Sequence, residues 1–125
     1  RSVDGAYMAG ADGSVPGLAN VEATGYVRMW KATEAGDWAT VKKEQDWLAA
    51  LMRIVTVPQG VAGFGSGVGA FKTAMALLGV FDTNQMPNPV LPLKGENVKR
   101  IAAVLEECGM TLARTPEEVS ASTEA

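Results

Sequence analysis

The chain has 125 residues, 47% of them hydrophobic and 20% charged, with a formal net charge of −3. That is the size and composition of one globular domain able to bury a core. Its eleven Lys and Arg residues are scattered, so the basic patch of a nucleic-acid binder is missing. Histidine is absent and Cys108 is the only cysteine. This removes the usual base of serine and cysteine hydrolases, the commonest metal ligand, any internal disulfide and any cysteine-based metal cluster. Chemistry here must use lysine, tyrosine, carboxylates or backbone groups, and neither a metal nor a cofactor is expected. No apolar run approaches the ~18 residues that cross a bilayer. The opening Arg1-Ser2-Val3-Asp4 lacks the apolar centre of a secretory signal, so a cytoplasmic setting without membrane contact is expected. The first residue is Arg1 rather than methionine, as after processing or cleavage.

Val3, Ala6 and Tyr7 stand at helical spacing before Gly10, which reads as the end of a helix. The stretch from Ala11 to Asn20 is glycine-punctuated and poor in helix formers, and a strand is expected over residues 13–17. Ala23, Val27 and Trp30 share one face of a following helix, with Gly36 just past its end. Asp37 caps a longer helix. It carries Val41, Leu48, Leu51, Met52 and Val55 inward, leaves Lys42, Lys43, Glu44 and Asp46 wet, and stops at Pro58.

A glycine-rich connector from Gly60 to Gly69 leads to a helix in which Phe71, Ala74, Met75 and Leu78 form the apolar face before Gly79. Pro87, Pro89 and Pro92 favour an extended surface crossing between Met86 and Leu93. Val98, Ile101, Ala102 and Leu105 mark one more helix, ended by Gly109. From Thr111 the chain is a polar tail in which Thr115-Pro116-Glu117-Glu118 has the form of a capping box, consistent with a terminal turn.

A lone strand among helices leaves its backbone donors and acceptors without partners, so it is expected to pair with strands outside this chain. Helix, short strand, helix is one slice of a β/α alternation, as in a parallel sheet or barrel.

The run Gly60 to Thr73 brings glycines, a lysine and a threonine together before a helix, but Ala70 and Phe71 separate the last glycine from Lys72. A phosphate loop needs that lysine adjacent and a strand before the loop, so a flexible helix-to-helix connector is the reading, with Lys72 solvated rather than on a substrate anion. Trp30 is assigned to the core. Trp38 and Trp47 suit either a core or a subunit contact, with the core favoured. Cys108 is a small buried hydrophobe, and Glu106-Glu107, on adjacent helical positions, are a solvated face.

The segment Gly10-Ala11-Asp12-Gly13-Ser14-Val15-Pro16-Gly17-Leu18-Ala19-Asn20-Val21 resembles the last barrel strand of the dihydrodipicolinate synthase and N-acetylneuraminate lyase family of Schiff-base aldolases. Further matches follow in the same order: the turn Glu34-Ala35-Gly36-Asp37, a long helix carrying Gln45, a glycine-rich bend, the helix Ala70 to Gly79, and Pro89-Val90-Leu91-Pro92-Leu93 before the last long helix. The resemblance runs to Met110, and its specificity lies in the ordered set.

It implies an α/β fold, the C-terminal part of a (β/α)8 TIM barrel with a C-terminal helical appendage, this chain itself being mostly α-helical. Residues 1–57 would be the end of the barrel, with its last strand at about 13–17, residues 58–110 the appendage, and 111–125 the polar tail. The activity implied is that of a lyase or synthase on pyruvate or another 2-keto acid. The imine-forming lysine and the proton-relaying tyrosine would lie outside this chain, leaving it inactive alone. The carbonyl of Val15 would line the keto-acid pocket, with Ser14 and Gly17 beside it. Pro16 stands where many relatives carry serine, removing a hydroxyl and an amide donor. The implied partners are the N-terminal remainder of the barrel, the 2-keto acid, and further copies in a dimer or tetramer. A small non-enzymatic helical interaction module, and a 2-keto-3-deoxy sugar acid aldolase or dehydratase of the same family, are the alternative readings.

Overall fold

The computed structural model describes residues 2–123. Its helices are α1 (Val3–Met8), α2 (Thr24–Glu34), α3 (Trp38–Leu51), α4 (Val68–Leu77), α5 (Glu96–Glu107) and α6 (Pro116–Ala121), with short 3-10 helices at Gly17–Asn20 and Met52–Val55. The strand expected at residues 13–17 does not form: the regular elements among the described residues are all helices, residues 11–16 are irregular, and Gly17 opens a 3-10 helix. A strand needs a neighbour for its backbone groups, and none is present among the described residues. No described helix is long and apolar enough to cross a membrane.

The chain divides into two compact units, the first ending at Met52 and the second starting at Arg53. In the first, α2 packs along α3, with α1 against both. The turn between α2 and α3 follows from its sequence. Gly36 takes φ +69°, which lets the Asp37 N–H reach back to the Ala32 carbonyl at 2.9 Å, and the Asp37 carboxylate then accepts the Thr40 N–H at 3.2 Å.

The buried face of α2 is Gly25, Met29 and Ala32, not the expected Ala23, Val27 and Trp30. Gly25 explains the offset. A Cβ there would lie 3.0 Å from Leu48 Cδ2 and 3.1 Å from Trp47 Cζ3, so the absent side chain is what lets α2 approach α3. Met29, Val41, Leu48 and Leu51 fill the core. Trp30 is half-buried, set edge-on to Tyr7 with ring centroids 5.0 Å apart, Trp47 is half-buried, and Trp38 is exposed. Glu44 is not wet as expected. Its side chain is 12% exposed, held by the Arg28 fork through Nε at 2.8 Å and Nη2 at 3.0 Å, while the same guanidinium lies 5.7 Å from the Trp47 ring centre.

In the second unit α4, α5 and α6 pack together. The α5 face is the expected one, Val98, Ile101, Ala102 and Leu105, with Val104 added. The α4 face is so only at Ala74: Gly69, Ala70, Thr73, Ala76 and Leu77 are buried with it, whereas Phe71, Met75 and Leu78 are half-covered. Small residues permit close approach on nearly every side of this helix, which a search for large apolar residues overlooks.

The glycine-rich connector is a set of tight turns, closed by the Gly65 N–H on the Ala62 carbonyl and the Gly67 N–H on the Gly63 carbonyl, rather than a loose link. Lys72 is not simply solvated, since its ammonium donates to the Gln85 carbonyl at 3.0 Å. The proline-rich segment is only partly on the surface: Met86, Pro92 and Leu93 are buried. Asn84, fully buried, donates from Nδ2 to Thr73 Oγ1 at 3.0 Å and to the Leu93 carbonyl at 2.8 Å, which draws this segment onto α4.

Of the span read as a polar tail, Glu124 and Ala125 lie outside the described residues, as does Arg1 at the other end. The remainder carries α6, started by the expected capping box. Thr115 Oγ1 accepts the Glu118 N–H at 3.1 Å and Glu118 Oε2 accepts the Thr115 N–H at 2.8 Å. Val119 on this helix is fully buried.

Candidate functional site

The site indicated by the sequence lies on the extended link between α1 and the Gly17–Asn20 helix. Asp12, Gly13, Ser14 and Val15 make no backbone hydrogen bond to any described residue. The link is fixed by its ends and by one side chain. Upstream, the Ala11 N–H returns to the Ala6 carbonyl at 3.0 Å; downstream, Leu18 is buried and the Asn20 amide donates to the Gly17 carbonyl at 2.9 Å. Between them Ser14 Oγ lies 2.7 Å from Tyr7 Oη.

Successive side chains of an extended segment point to opposite sides. Ser14 faces Tyr7, and Val15 is 102% exposed, the most exposed large apolar residue in the molecule as described.

The three sequence-derived site residues do not converge on one cavity. Ser14 lines an open cleft of about 500 Å³ with Tyr7, Tyr26 and Trp30, whereas Gly17 lines a cavity of about 130 Å³ with Leu18, Gln45 and Leu48. Val15 borders neither. The helical spacing of Tyr7 was legible in the sequence, but the grouping of Tyr7 and Tyr26 with Ser14 and Trp30 was not. The only signal was that an aromatic residue in each of two helices brackets a short link carrying one hydroxyl. Burial pushes the Tyr26 phenol above its ordinary range, with a smaller contribution from the nearby Tyr7. Lys31 and Glu34 stand exposed at the rim of the same cleft.

Cys108 is half-buried in the second unit, where burial raises its thiol and the Arg53 guanidinium opposes that rise. Among the described residues no group of His, Cys, Asp and Glu is arranged to hold a metal ion.

These features define a helical chain in which a link without backbone hydrogen bonds, Asp12–Val15, lies beside an aromatic cleft. The chain belongs to the dihydrodipicolinate synthetase family, whose sequence model matches residues 2–108. It is also similar to the 4-hydroxy-tetrahydrodipicolinate synthase of Kineococcus radiotolerans, with 32% identity over 101 residues, covering 81% of this chain and 31% of that relative. The chain thus spans about a third of the length of the curated relative it matches.

Proposed function

We propose that this chain is the C-terminal part of a Schiff-base lyase or synthase acting on pyruvate or another 2-keto acid, and that it supplies the last strand of a (β/α)8 barrel together with a helical appendage. Family membership over residues 2–108 supports the reading, and the observation that carries it is the extended link with unpaired backbone at Asp12–Val15. In a barrel, those groups would enter ladders on both sides, and Val15 would lose its exposure to water.

Barrel enzymes place their chemistry at the C-terminal ends of the strands. The Val15 carbonyl there would line the keto-acid pocket, with Ser14 and Gly17 beside it. The bond to Tyr7 gives Ser14 the part of a tether that fixes the strand against α1. A lysine outside this chain would attack the ketone carbon in its unprotonated form, and loss of water would give a protonated imine that accepts the electron pair of the carbon-carbon bond being made or broken. Condensation leads among the possible reactions, since the Kineococcus relative is named as a synthase. Cleavage or dehydration of a 2-keto-3-deoxy sugar acid is the alternative within the family. The exposed Trp38 supports a subunit contact in a dimer or tetramer, and the setting proposed is the cytoplasm.

Borohydride reduction in the presence of pyruvate tests this reading. A protein joining this chain to the rest of the barrel should acquire a stable adduct on one lysine outside the residues described here, and the chain by itself should acquire none. An adduct on Lys72, or on any other lysine of this chain, would overturn the assignment, as would the absence of any adduct on the joined protein.

A further inference from the structure

In the second unit every cationic side chain but Arg100 ends on a carboxylate or a main-chain carbonyl among the described residues. Arg53 pairs with Glu107 at 2.7 Å, and Lys99 lies 3.4 Å from Glu96 and 3.8 Å from Glu117. Lys72 donates to the Gln85 carbonyl, Lys94 to the Thr123 carbonyl and Arg114 to the Asp82 carbonyl. Among the described residues Arg100 has only the Asn97 Oδ1 amide oxygen, at 3.0 Å. That atom is already engaged, because Asn97 binds the backbone of Gln59 on both sides, accepting its N–H at 2.9 Å and donating to its carbonyl at 2.9 Å.

Arg100 is half-buried and lines a groove of about 420 Å³ between α5 and the chain following the Met52–Val55 helix. Val57, Ala103 and Val104 give the groove an apolar wall, and Arg53 with its partner Glu107 also borders it. Two guanidinium groups against one carboxylate leave a surplus positive charge. A half-buried guanidinium with unspent N–H donors favours an anion that can meet its planar fork with two oxygens. The apolar wall favours an anion with a hydrocarbon body.

We propose that this groove binds a small organic carboxylate with a short aliphatic body, the carboxylate on Arg100 and the body against Val57, Ala103 and Val104. This inference is independent of the proposed barrel chemistry and of its missing lysine.

Isovalerate, acetate, inorganic phosphate and neutral isovaleramide can be titrated into the chain while the amide resonances of residues 97–107 are followed by NMR. Isovalerate should give saturable shifts centred on Ala103 and Val104, with acetate and phosphate weaker and isovaleramide silent. Arg100→Gln should weaken isovalerate roughly tenfold or more, as expected for loss of a charge-assisted pair. Arg100→Lys should fall between, and Lys99→Gln, on the neighbouring exposed position, should leave binding unchanged. Retained spectral dispersion in each variant separates loss of binding from loss of fold. Equal binding of isovaleramide, tighter binding of phosphate than of isovalerate, full affinity in Arg100→Gln, or no saturable shift with isovalerate would each overturn the proposal.

Discussion

Asn84→Ala is expected to lower stability by about 2–4 kcal/mol, because it removes two buried hydrogen bonds and leaves an acceptor unsatisfied. The Asn84 side chain is fully buried, and its Nδ2 serves both Thr73 Oγ1 and the Leu93 carbonyl. Thr73 gives its own proton to the Gly69 carbonyl at 2.7 Å, so its oxygen can only accept from Asn84. That fixes the amide orientation and leaves Oδ1 without a partner among the described residues, a cost the two donated bonds must exceed.

Asn84→Asp sharpens the test. A buried aspartate has its pKa raised by desolvation, so the variant's stability is greatest below the unfolded-state value and falls as pH rises through the folded-state value. Urea unfolding followed by far-UV circular dichroism at acid and neutral pH reads both effects. An Asn84→Ala variant within a few tenths of a kcal/mol of the parent would contradict this role.

Gly25→Val is the second large effect, about 1–3 kcal/mol destabilising through overpacking between α2 and α3. Even a bare Cβ would meet Leu48 Cδ2 at 3.0 Å and Trp47 Cζ3 at 3.1 Å. Gly25→Ala is therefore a balanced case. Its helix-propensity gain of roughly 1 kcal/mol opposes the overlap, so a small net change is expected. Trp47 touches the site and reports on it by fluorescence, as urea midpoints for the two variants will show. A Val variant as stable as the Ala variant would mean that α2 moves away from α3 without cost.

The same glycine shows why the sequence was read correctly in some places and not in others. On α5 the buried stripe includes Val98, Ile101, Ala102 and Leu105, apolar residues whose spacing is legible without knowing their partners. The Thr115 capping box and the Asp37 cap were legible for a similar reason, since both are local hydrogen bonds written into adjacent residues. On α2, however, the inward positions begin with Gly25, while Val27 is 50% exposed. On α4, glycine, alanine and threonine fill the buried positions. Burial made possible by absent side chains depends on the partner helix, which no pattern within one helix contains.

The site was legible only in part. Its place between α1 and the next helix followed from glycine and proline punctuation, whereas the strand read at residues 13–17 did not form. That Ser14 bonds to Tyr7 while Val15 stands free depended on how the link is rotated, which one strand-like stretch does not specify. The expected strand failed to form for a physical reason. Ladders are made by pairs of segments, and no strand forms among the described residues to pair with this one.

Amide hydrogen exchange at Asp12, Gly13, Ser14 and Val15 tests the central claim most directly, compared between the chain alone and a protein joining it to the rest of the proposed barrel. Exchange close to that of an unstructured peptide is predicted in the chain alone, with strong slowing once the remaining strands are present. Protection already present in the isolated chain, or none gained in the joined protein, would contradict the claim that this link is a barrel strand awaiting its neighbours.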